Sequence, residues 1–406
     1  MKKSIVFLQA MLLLASISLP LTAEEASVGV VVPVTITGGI LGRVDDVSAN
    51  FRALISPALK LGANWSVYSV LQVSSRPSTQ YGSYDYKPVR VLQGFLGRAW
   101  TGQRLSATVK VGQLASAFGS FPLRYDDMAN PLPDQPLAYR SRLRIRPDQL
   151  PCGVNDLARQ WKNYQGGFLP AVRFGCGGDI TPAAGMLPVT LYGLPGLELD
   201  ISSGQVDARA QLTNSSPANP LNLLSASQRV QWALGAGYTI RPGFRVGLST
   251  FRGPYLDESI HDLLPIGETA GNYPATGVGV DMQWAKGRWS ADAEWQRFQF
   301  NYPRFLTSPS ASFGHVELKA ILAPRLYAAT RLGYQQYGAA EDDRIKSDPV
   351  LSGRRSYEFA VGYRPNRWQL LKVGYQRLRL EGGQAYDNVL AIQLVTSIES
   401  LSKSVY

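Results

Sequence analysis

The sequence predicts an all-β fold: a membrane-spanning, antiparallel, up-and-down β-barrel of about sixteen strands. Three observations support this prediction. Short turn signals recur along the chain at a regular spacing. The runs between them alternate apolar and polar residues, as strands with one apolar face do. The connections on the side opposite the short turns are long, which is the asymmetry of membrane barrels.

The short turns set the predicted number of strands. They are Gly-, Pro- or Asn-containing segments at 62–64, 101–103, 203–204, 241–243, 286–287, 323–325 and 364–366. Successive turns fall roughly 40 residues apart, as expected for repeated hairpins. Across 116–187 the spacing is about 100 residues, which indicates one long insertion in an otherwise regular array. With both chain ends on the turn side, this array predicts about sixteen strands.

Alternation is clearest in the C-terminal half. From 230 to 240 the even positions are apolar or aromatic, whereas the odd positions from 229 to 239 carry Arg, Gln, Ala, Gly and Thr. Similar alternation occurs at 278–284, 289–295, 316–322, 357–363 and 390–398. A soluble β-sandwich also alternates. Here, however, the second face is rich in glycine, charge and amide, as a water-filled lumen requires, so the membrane barrel is preferred.

Aromatic residues and connection lengths point the same way. Trp284, Trp289, Tyr363 and Trp368 stand close to the turns, where a membrane-interface girdle is expected. Long connections on the other side occupy 215–227, 255–274, 302–311 and 339–353. Closing the sheet into a barrel pairs every backbone group, which a bilayer requires.

The predicted strands are 27–38, 47–60, 64–76, 88–100, 104–115, 188–202, 205–214, 228–240, 244–254, 275–285, 288–301, 312–322, 326–338, 354–364, 368–380 and 385–398. A further hairpin hidden within 116–187 is left open, and it gives about eighteen strands instead. The alternation changes phase near 297–300 and 377–380. These positions predict either β-bulges or strand extensions above the membrane.

The N-terminus predicts an exported protein. Residues 1–23 have the basic start, the short apolar run and the small residue, Ala23, of a secretory signal peptide. The alternative, a membrane anchor, is disfavoured because the apolar run is too short to span a bilayer. Residues 24–406 then form one barrel domain. Removing Lys2 and Lys3 lowers the formal net charge from +11 to +9, so the mature chain is still basic.

A family resemblance rests on the stretch 111–119, Val-Gly-Gln-Leu-Ala-Ser-Ala-Phe-Gly. It resembles the strand-to-loop passage of phosphate-selective and related bacterial porins, which often carries a Gly…Pro-Phe-Gly run. Ala117 stands where that pattern has proline. The whole chain also resembles the porin superfamily in its signal peptide, its strand number and the position of its long third loop. Porins often end in an aromatic residue, and this chain ends in Tyr406, although 399–405 breaks the alternation and predicts that the last strand stops near Ile398.

The resemblance implies an outer-membrane location in a Gram-negative-type bacterium, a homotrimer, and contact with outer-membrane lipid and lipopolysaccharide. It implies that 116–187 folds into the lumen and narrows the channel. We expect a passive channel for small hydrophilic solutes with a weak anion preference, phosphate being one candidate. The alternative is a structural or surface-interaction barrel with an occluded lumen. Which solute passes is left open.

Arginines supply the candidate solute-binding residues. Arg140, Arg142, Arg144 and Arg146 recur at every second position, so in extended backbone their guanidinium groups point one way, about 7 Å apart. Arginine suits phosphate and carboxylate because its planar fork donates two hydrogen bonds. Alternatively, these residues lie at an exposed loop edge, bind lipopolysaccharide phosphates or pair with nearby aspartates. The other candidate pore residues are Arg124 in the insertion and, on the predicted inner wall, Arg52, Arg98, Lys110 and Arg209.

Both cysteines, Cys152 and Cys176, lie in the insertion. In an exported protein such a pair predicts a disulfide. Two free thiols or a metal site are disfavoured because further ligands are missing from the sequence nearby.

Catalysis is not predicted. The two histidines are His261, in a loop beside Ser259 and Asp262, and His315, at the start of a strand. Ser259, His261 and Asp262 are too close in sequence to form a triad without tertiary help, and His315 is expected to be a lumen-facing polar residue. We therefore expect no enzymatic activity, no cofactor, no metal site and no nucleic-acid partner.

Overall fold

The structure is a computed structural model of the chain. It describes residues 28–43, 47–62, 64–75, 89–143, 145, 147–162, 186–214, 230–347, 353–380, 386–398 and 403–405. The predicted signal peptide, 1–23, lies outside these residues. No helix in the described part of the chain is long and apolar enough to cross a membrane.

The described strands are β1 (Val28–Val31), β2 (Val34–Gly42), β3 (Val47–Ile55), β4 (Ala58–Leu61), β5 (Trp65–Ser74), β6 (Val89–Thr101), β7 (Ser106–Ala115), β8 (Tyr192–Ser203), β9 (Val206–Thr213), β10 (Gln231–Arg241), β11 (Phe244–Pro254), β12 (Pro274–Lys286), β13 (Trp289–Phe300), β14 (Phe305–Thr307), β15 (Ser310–Ala323), β16 (Leu326–Tyr337), β17 (Ala340–Asp342), β18 (Lys346–Ser347), β19 (Arg354–Asn366), β20 (Gln369–Leu380), β21 (Tyr386–Ile398) and β22 (Lys403–Val405).

Sixteen of these strands close into an antiparallel barrel, as predicted. Each pairs with the next in chain order, from β2 and β3 through β5–β13, β15, β16, β19 and β20 to β21. Strand β21 then pairs with the whole length of β2, Ile398 facing Val34 and Leu390 facing Gly42, which closes the sheet. Closure leaves no open edge among the wall strands.

Short strands extend the barrel at its turn end. Proline interrupts two wall strands there: Pro33 separates β1 from β2, and Pro57 separates β3 from β4, because proline cannot donate to the ladder. Strand β1 pairs with β4 and with β22. The last wall strand ends at Ile398, where the prediction placed it.

The two faces of the wall differ as the alternation predicts. On β12, Val278 and Val280 are exposed on the outside, whereas Asp281 is buried on the inside. On β20, Val373 is exposed and Lys372 fully buried. Outward apolar side chains and inward polar ones form the pattern of a transmembrane barrel.

The insertion contributes helices but no wall strand among its described residues, 116–143, 145, 147–162 and 186–187. The helices are a 3-10 turn (Phe121–Arg124), a single α-helical turn (Leu137–Arg140) and a longer α-helix (Val154–Lys162). Two further 3-10 turns, Glu258–Leu263 and Ala270–Asn272, lie in a long connection. A small sheet of β14, β17 and β18 contacts the longer helix, since Asp342 accepts a hydrogen bond from the Val154 backbone N–H at 2.7 Å.

The phase changes of the alternation are strand extensions and not bulges. Pairing of β12 with β13 is continuous to Phe300, and pairing of β19 with β20 is continuous to Leu380. Phe298 and Phe300 point inward and are fully buried. They belong to an apolar cluster that joins wall residues to the insertion. Inward aromatic residues therefore replace inward polar ones where the wall packs against the insertion.

Candidate functional site

The inner wall and residues 116–143 of the insertion form one connected network. This segment bonds to inward side chains on strands from β2 to β20. The wall partners are Thr35, Thr37, Arg52, Gln72, Tyr192, Arg209, Gln211, Ser249, Asp292, Glu294, Gln296, Glu317, Tyr327, Arg331, Glu358, Arg364 and Lys372. Such contacts with many strands fix the segment against the wall far more firmly than a single hinge contact.

The first contact is a tight turn at Gly119. Its φ of +81° is in the left-handed region, and a Cβ there would collide with the Tyr139 hydroxyl. The Gly119 N–H donates to Ser249 Oγ at 3.1 Å, and Arg209 donates to the Gly119 carbonyl at 3.4 Å. Phe118, just before the turn, packs edge-on against Phe251 with ring centroids 5.1 Å apart. The motif that suggested the porin resemblance therefore ends in this turn.

Residues that follow this turn form hydrogen bonds with a buried carboxylate, that of Glu294. Glu294 accepts hydrogen bonds from the Ser120 N–H and from the Tyr139 hydroxyl, both at 2.8 Å. Gln296 donates to the same hydroxyl at 2.7 Å, and the Tyr139 ring stacks on Phe121. Burial, followed by the neighbouring Glu294 carboxylate, raises the pKa of Tyr139 well above its usual range. The hydroxyl therefore stays protonated and donates.

Arg331 links the wall to the middle of the segment. Its side chain is completely buried and donates to Glu317 at 2.6 Å and to Glu358 at 3.1 Å, on the two adjacent wall strands. It also donates to the Asp134 carbonyl at 2.9 Å and to Asn130 Oδ1 at 3.2 Å. A buried guanidinium is stable only when paired and hydrogen-bonded in this way.

A fourth anchor involves β2 and β3. Asp127 accepts from Thr37 at 2.6 Å and forms an ion pair with Arg52, whose guanidinium also lies 4.8 Å from the centre of the Tyr125 ring. Burial alone raises the pKa of Asp127, but the positive charges of Arg52 and Lys372 and the hydrogen bonds outweigh it and lower the pKa below the usual value. Asp127 therefore stays ionised and holds this anchor at neutral pH.

Two predicted arginines of the insertion serve as anchors. Arg124 pairs with Asp292 at 3.1 Å and Glu317 at 3.0 Å. Arg140 pairs with Asp134 and with Glu358. Both side chains are mostly buried, and their charges are matched by carboxylates.

The structure differs from the predicted row of four arginines, Arg140, Arg142, Arg144 and Arg146, at its first member. Arg140 ends a single helical turn, so it does not continue the extended run. Ser141 is extended, Leu143 is buried and bridges Met186, and Arg142 is partly exposed. Arg144 and Arg146 lie outside the described residues. The proposed anion-binding role of Arg142, Arg144 and Arg146 stays a prediction.

Arg98 does not face the lumen, contrary to the predicted inner-wall position. It pairs across the sheet with Trp65, which is exposed on the outside, and its guanidinium lies 5.1 Å from the ring centres of Trp65 and Trp100. The cause is a bulge in β6: the register with β5 shifts between Gln93 and Val91, with Leu92 the extra residue. One inserted residue reverses the face of every later position.

Lys110 and Arg209 do face inward, but the sequence prediction missed the acids beside them. Lys110 pairs with Glu198 at 2.8 Å and with Asp200, and Asp200 lies opposite Arg209 in the sheet. Residues 197–202, Leu-Glu-Leu-Asp-Ile-Ser, alternate regularly, and this alternation is the signal that places both acids on the inner face. These acids offset the positive charges of Lys110 and Arg209, which weakens the basis for the expected anion preference.

Some charged wall residues keep contact with solvent. The Asp207 side chain is 42% exposed, and those of Asp200 and Arg245 are each 25% exposed. Arg245 bridges Asp207 at 2.6 Å and Asp281 at 3.1 Å. These side chains form a hydrated, charged strip on the inner face.

The structure tests only some of the predictions made for the cysteines and histidines. None of the described cysteines is a free thiol, but Cys176 lies outside the described residues, so its pairing with Cys152 stays a prediction. His315 faces inward opposite Glu294 and is buried, as expected for a wall residue. His261 lies in an exposed 3-10 turn with Asp262. That the protein lacks enzymatic activity stays a prediction.

Comparison with solved structures identifies the fold. The outer-membrane expressed OmpT of Vibrio cholerae is 9% identical, with 93% of this chain and 99% of that chain covered and a TM-score of 0.51. OprB of Pseudomonas putida is 10% identical, with 92% and 94% covered and a TM-score of 0.53. OmpF of Salmonella typhi, in complex with daunomycin, is 10% identical, with 91% and 97% covered and a TM-score of 0.51.

No family model matches the chain, and no curated protein matches it in sequence. At these identities the structural likeness shows the fold alone. The chain has the sixteen-stranded fold of bacterial outer-membrane porins, which confirms the predicted architecture. The phosphate-selective subtype stays a prediction.

Proposed function

We propose that this protein is an outer-membrane porin: a passive diffusion channel for small hydrophilic solutes in a Gram-negative-type bacterium. A sixteen-stranded barrel is wide enough to hold an aqueous channel. The observation that carries the proposal is the hydrated strip of Lys110, Asp200, Asp207 and Arg245 on the inner wall. Charged side chains that remain partly exposed inside a closed barrel are expected beside water.

Residues 116–143 are the proposed constriction. The anchors at Gly119, Glu294, Arg331 and Asp127 are distributed round the barrel, so the segment crosses the lumen instead of lining one side. A constriction held by direct hydrogen bonds keeps a fixed width, which is what size selection among small solutes requires. The insertion 116–187 as a whole is the proposed third loop of the barrel.

A weak anion preference is part of the same proposal, with phosphate as the sharper candidate. The formal charge of the mature chain, +9 after removal of 1–23, supports it. The ion pairs of Arg52, Arg124, Arg245 and Arg331 with carboxylates reduce the net field that these arginines contribute. The preference therefore depends mainly on cations outside these pairs, and we expect it to be small.

The test is single-channel recording of the refolded mature chain in a planar bilayer, with the reversal potential measured under a KCl gradient. Stepwise conductance with a small anion preference is expected. A variant with Arg142, Arg144 and Arg146 changed to Ser leaves the Arg140 anchor intact and is expected to lose part of that preference. Its matched control changes three exposed arginines remote from the insertion: Arg252, Arg288 and Arg297. An equal loss of anion preference in the control would show that Arg142, Arg144 and Arg146 do not lie in the permeation path.

The second candidate is a structural or surface-interaction barrel with an occluded lumen. It is favoured by the size of the apolar cluster that joins the insertion to inward aromatic residues on β11, β13 and β15. Phe118, Phe298 and Phe313 in that cluster are fully buried. A folded, heat-modifiable barrel that never conducts in the bilayer would favour this candidate over the porin.

Three further expectations complete the proposal. Signal cleavage after Ala23 is checked by N-terminal sequencing of the exported protein. A Cys152–Cys176 disulfide, which holds the second part of the insertion, is checked by thiol titration with and without reductant. A homotrimer with bound lipopolysaccharide is checked by native mass spectrometry of the protein extracted from the outer membrane.

A further inference from the structure

We propose that the rings of Tyr68 and Phe95, on the inner wall, bind the ring of a neutral sugar as it passes through the channel. The inference rests on the proposed function and deepens it, because it names a class of solute. The two side chains lie opposite each other on β5 and β6, with ring centroids 5.4 Å apart. Neither residue is fully buried. Together they form one aromatic surface, the Tyr68–Phe95 surface.

The Tyr68–Phe95 surface lies on the lumen side of the wall. Tyr68 packs against a buried cluster of Leu54, Val70 and Leu92, which Tyr125 of the insertion also contacts. Phe95 lies beside the inward Lys110, whose ammonium nitrogen is 5.5 Å from the ring centroid. Apolar surface is normally covered, so aromatic rings that keep contact with water inside a barrel mark a binding site for a ligand.

Two neighbouring tyrosines differ from this pair because they bind the insertion. Tyr125 donates to Gln72 Oε1 at 2.9 Å, and Tyr192 donates to the Pro122 carbonyl at 2.8 Å. Their rings pack edge to face with centroids 4.8 Å apart. These hydroxyl groups join the wall to the insertion, so the two tyrosines stabilise the barrel and are not the proposed sugar-binding rings.

The Phe95 ring is open on one side because the next inward residue of β6 is Gly97. A Cβ at Gly97 would lie 3.5 Å from the Phe95 ring, in direct contact with it. Glycine therefore leaves part of the ring uncovered. Tyr68, on the other side, adds a hydroxyl group that can donate or accept a hydrogen bond.

Charged side chains border the surface on β7 and β8. Lys110 pairs with Glu198 and Asp200, and Asp200 lies opposite Arg209 in the sheet. Two cations and two acids give a net formal charge of zero, so this part of the wall favours neither anions nor cations. The side chains of Lys110 and Asp200 are 24% and 25% exposed. Ammonium groups donate hydrogen bonds and carboxylates accept them, as the hydroxyl groups of a solute require.

Aromatic rings beside balanced charges select the chemistry of the solute. A sugar ring presents C–H groups on its face and hydroxyl groups around its edge. The face suits the Tyr68–Phe95 surface, and the hydroxyl groups suit Lys110 and Asp200. An open-chain polyol has the hydroxyl groups but no rigid apolar face, and a small amino acid has no ring. A neutral hexose matches both features.

The experiment measures uptake of radiolabelled D-glucose and D-sorbitol, at micromolar concentration, into vesicles that contain the refolded mature chain. Sorbitol is the open-chain polyol with the same number of carbon atoms as glucose. Glucose is expected to enter about threefold faster, as one favourable aromatic contact allows. Excess unlabelled glucose is expected to abolish this difference, because a binding site saturates. KCl conductance is recorded on the same preparation.

Paired substitutions locate the effect. Tyr68→Leu with Phe95→Leu removes both flat rings but keeps apolar side chains, and it is expected to make the two rates equal. The matched control, Tyr334→Leu with Phe359→Leu, removes two exposed rings from the outer face. It is expected to keep the difference. Folding is checked by heat-modified mobility, and Phe95→Leu alone, expected to lose part of the difference, replaces the first pair if that pair misfolds.

A second pair of solutes tests charge. L-alanine and L-lactamide are isomers, and only alanine is zwitterionic at neutral pH. Because the proposal depends on a ring face and not on charge, the two isomers are expected to enter at equal rates. Faster entry of alanine, with no difference between glucose and sorbitol, would assign the balanced charges to zwitterionic solutes and overturn the sugar proposal.

The remaining outcomes separate this inference from the proposed function. Equal uptake of glucose and sorbitol by a chain that conducts KCl overturns the inference and leaves the porin intact. A difference that survives Tyr68→Leu with Phe95→Leu, or that disappears equally in the outer-face control, also overturns it. A folded barrel with neither conductance nor uptake of any solute overturns both proposals.

Discussion

Arg331→Met tests whether the wall holds residues 116–143 through buried charge. Methionine keeps much of the length of the side chain but removes its charge and its donors. In the native chain, Arg331 binds the carboxylates of Glu317 and Glu358 and also the segment 130–134, through Asn130 Oδ1 and the Asp134 carbonyl. The substitution therefore removes one cationic partner from each of the two carboxylates and removes two hydrogen bonds to the insertion.

The magnitude follows from these partners. Removing one member of a buried ion pair costs about 3–5 kcal/mol of the free energy of unfolding, because the remaining charge is left buried. Glu317 keeps Arg124, and Glu358 keeps Arg140. We therefore expect the free energy of unfolding to fall by an amount at the lower end of this range, about 3 kcal/mol. Adding Glu317→Gln and Glu358→Gln to Arg331→Met is expected to recover part of it, since the stranded charges are then gone.

Urea unfolding in lipid vesicles, followed by tryptophan fluorescence, measures the stability, and single-channel recording measures the constriction. We expect more frequent conductance fluctuations in Arg331→Met because 130–134 loses two anchors. Arg245→Met is the control: this arginine bridges the wall acids Asp207 and Asp281 and is partly exposed. Its pair with the exposed Asp207 is worth only about 0–1 kcal/mol, whereas the buried Asp281 loses a partner, which costs about 1–3 kcal/mol. Conductance noise is nevertheless expected to stay unchanged, because both carboxylates lie on the wall and not on the insertion.

Two results would refute this reasoning. If Arg331→Met keeps native stability, the buried pairs do not hold the wall and the insertion together. If Arg245→Met raises the conductance noise as much as Arg331→Met does, the noise reports general disturbance of the barrel and not the release of 130–134.

Three further predictions concern the other anchors and the hydrated strip. Tyr139→Phe deprives the buried Glu294 of a donor and is expected to cost about 1.5–3 kcal/mol of unfolding free energy, measured by urea unfolding. Asp207→Asn removes a solvent-exposed negative charge and is expected to shift the reversal potential toward stronger anion preference in a KCl gradient. Because the pKa of Asp127 is lowered in the folded chain, its pairing with Arg52 stabilises fully above the unfolded value near 3.9 and is lost as pH falls through the lower folded value. Asp127→Asn is therefore expected to reduce stability at pH 7 and to reduce it progressively less as the pH falls below about 3.9.

The sequence predicts the barrel well because strands with lipid on one side obey a simple alternation. Turns and apolar positions located all sixteen wall strands, with ends shifted by a few residues. Where the rule failed, a second constraint was acting. Phe298 and Phe300 point inward because the insertion, not water, lies against them. Local alternation cannot show this, since the partner of these residues is more than a hundred residues away in the chain.

The candidate site was harder to predict, because the face of the wall on which a side chain lies depends on the strand register. The bulge at Leu92 is a single extra residue, and it places Arg98 outside among tryptophans. Glu198 and Asp200 are on the inner face, as the regular alternation of residues 197–202 indicates, but their pairing with Lys110 on the neighbouring strand does not follow from that alternation. Arg140 was assigned correctly to the insertion, but the single helical turn that directs it to Glu358 had no clear sequence signal. Ion pairs between distant segments are set by the closed barrel and do not follow from spacing.

The distribution of apolar and charged inner residues decides where water can pass. The buried aromatic cluster involves β11, β13 and β15, with Phe251, Phe298 and Phe313 packed against the insertion. The partly exposed charges instead lie on β7, β8, β9 and β11, at Lys110, Asp200, Asp207 and Arg245. In the proposed channel, the water path is therefore expected along β7–β9, beside the Gly119 turn and not through the centre of the segment. Selectivity then depends on the paired acids and bases of that strip, and the porin and the occluded barrel differ in whether the turn leaves it clear.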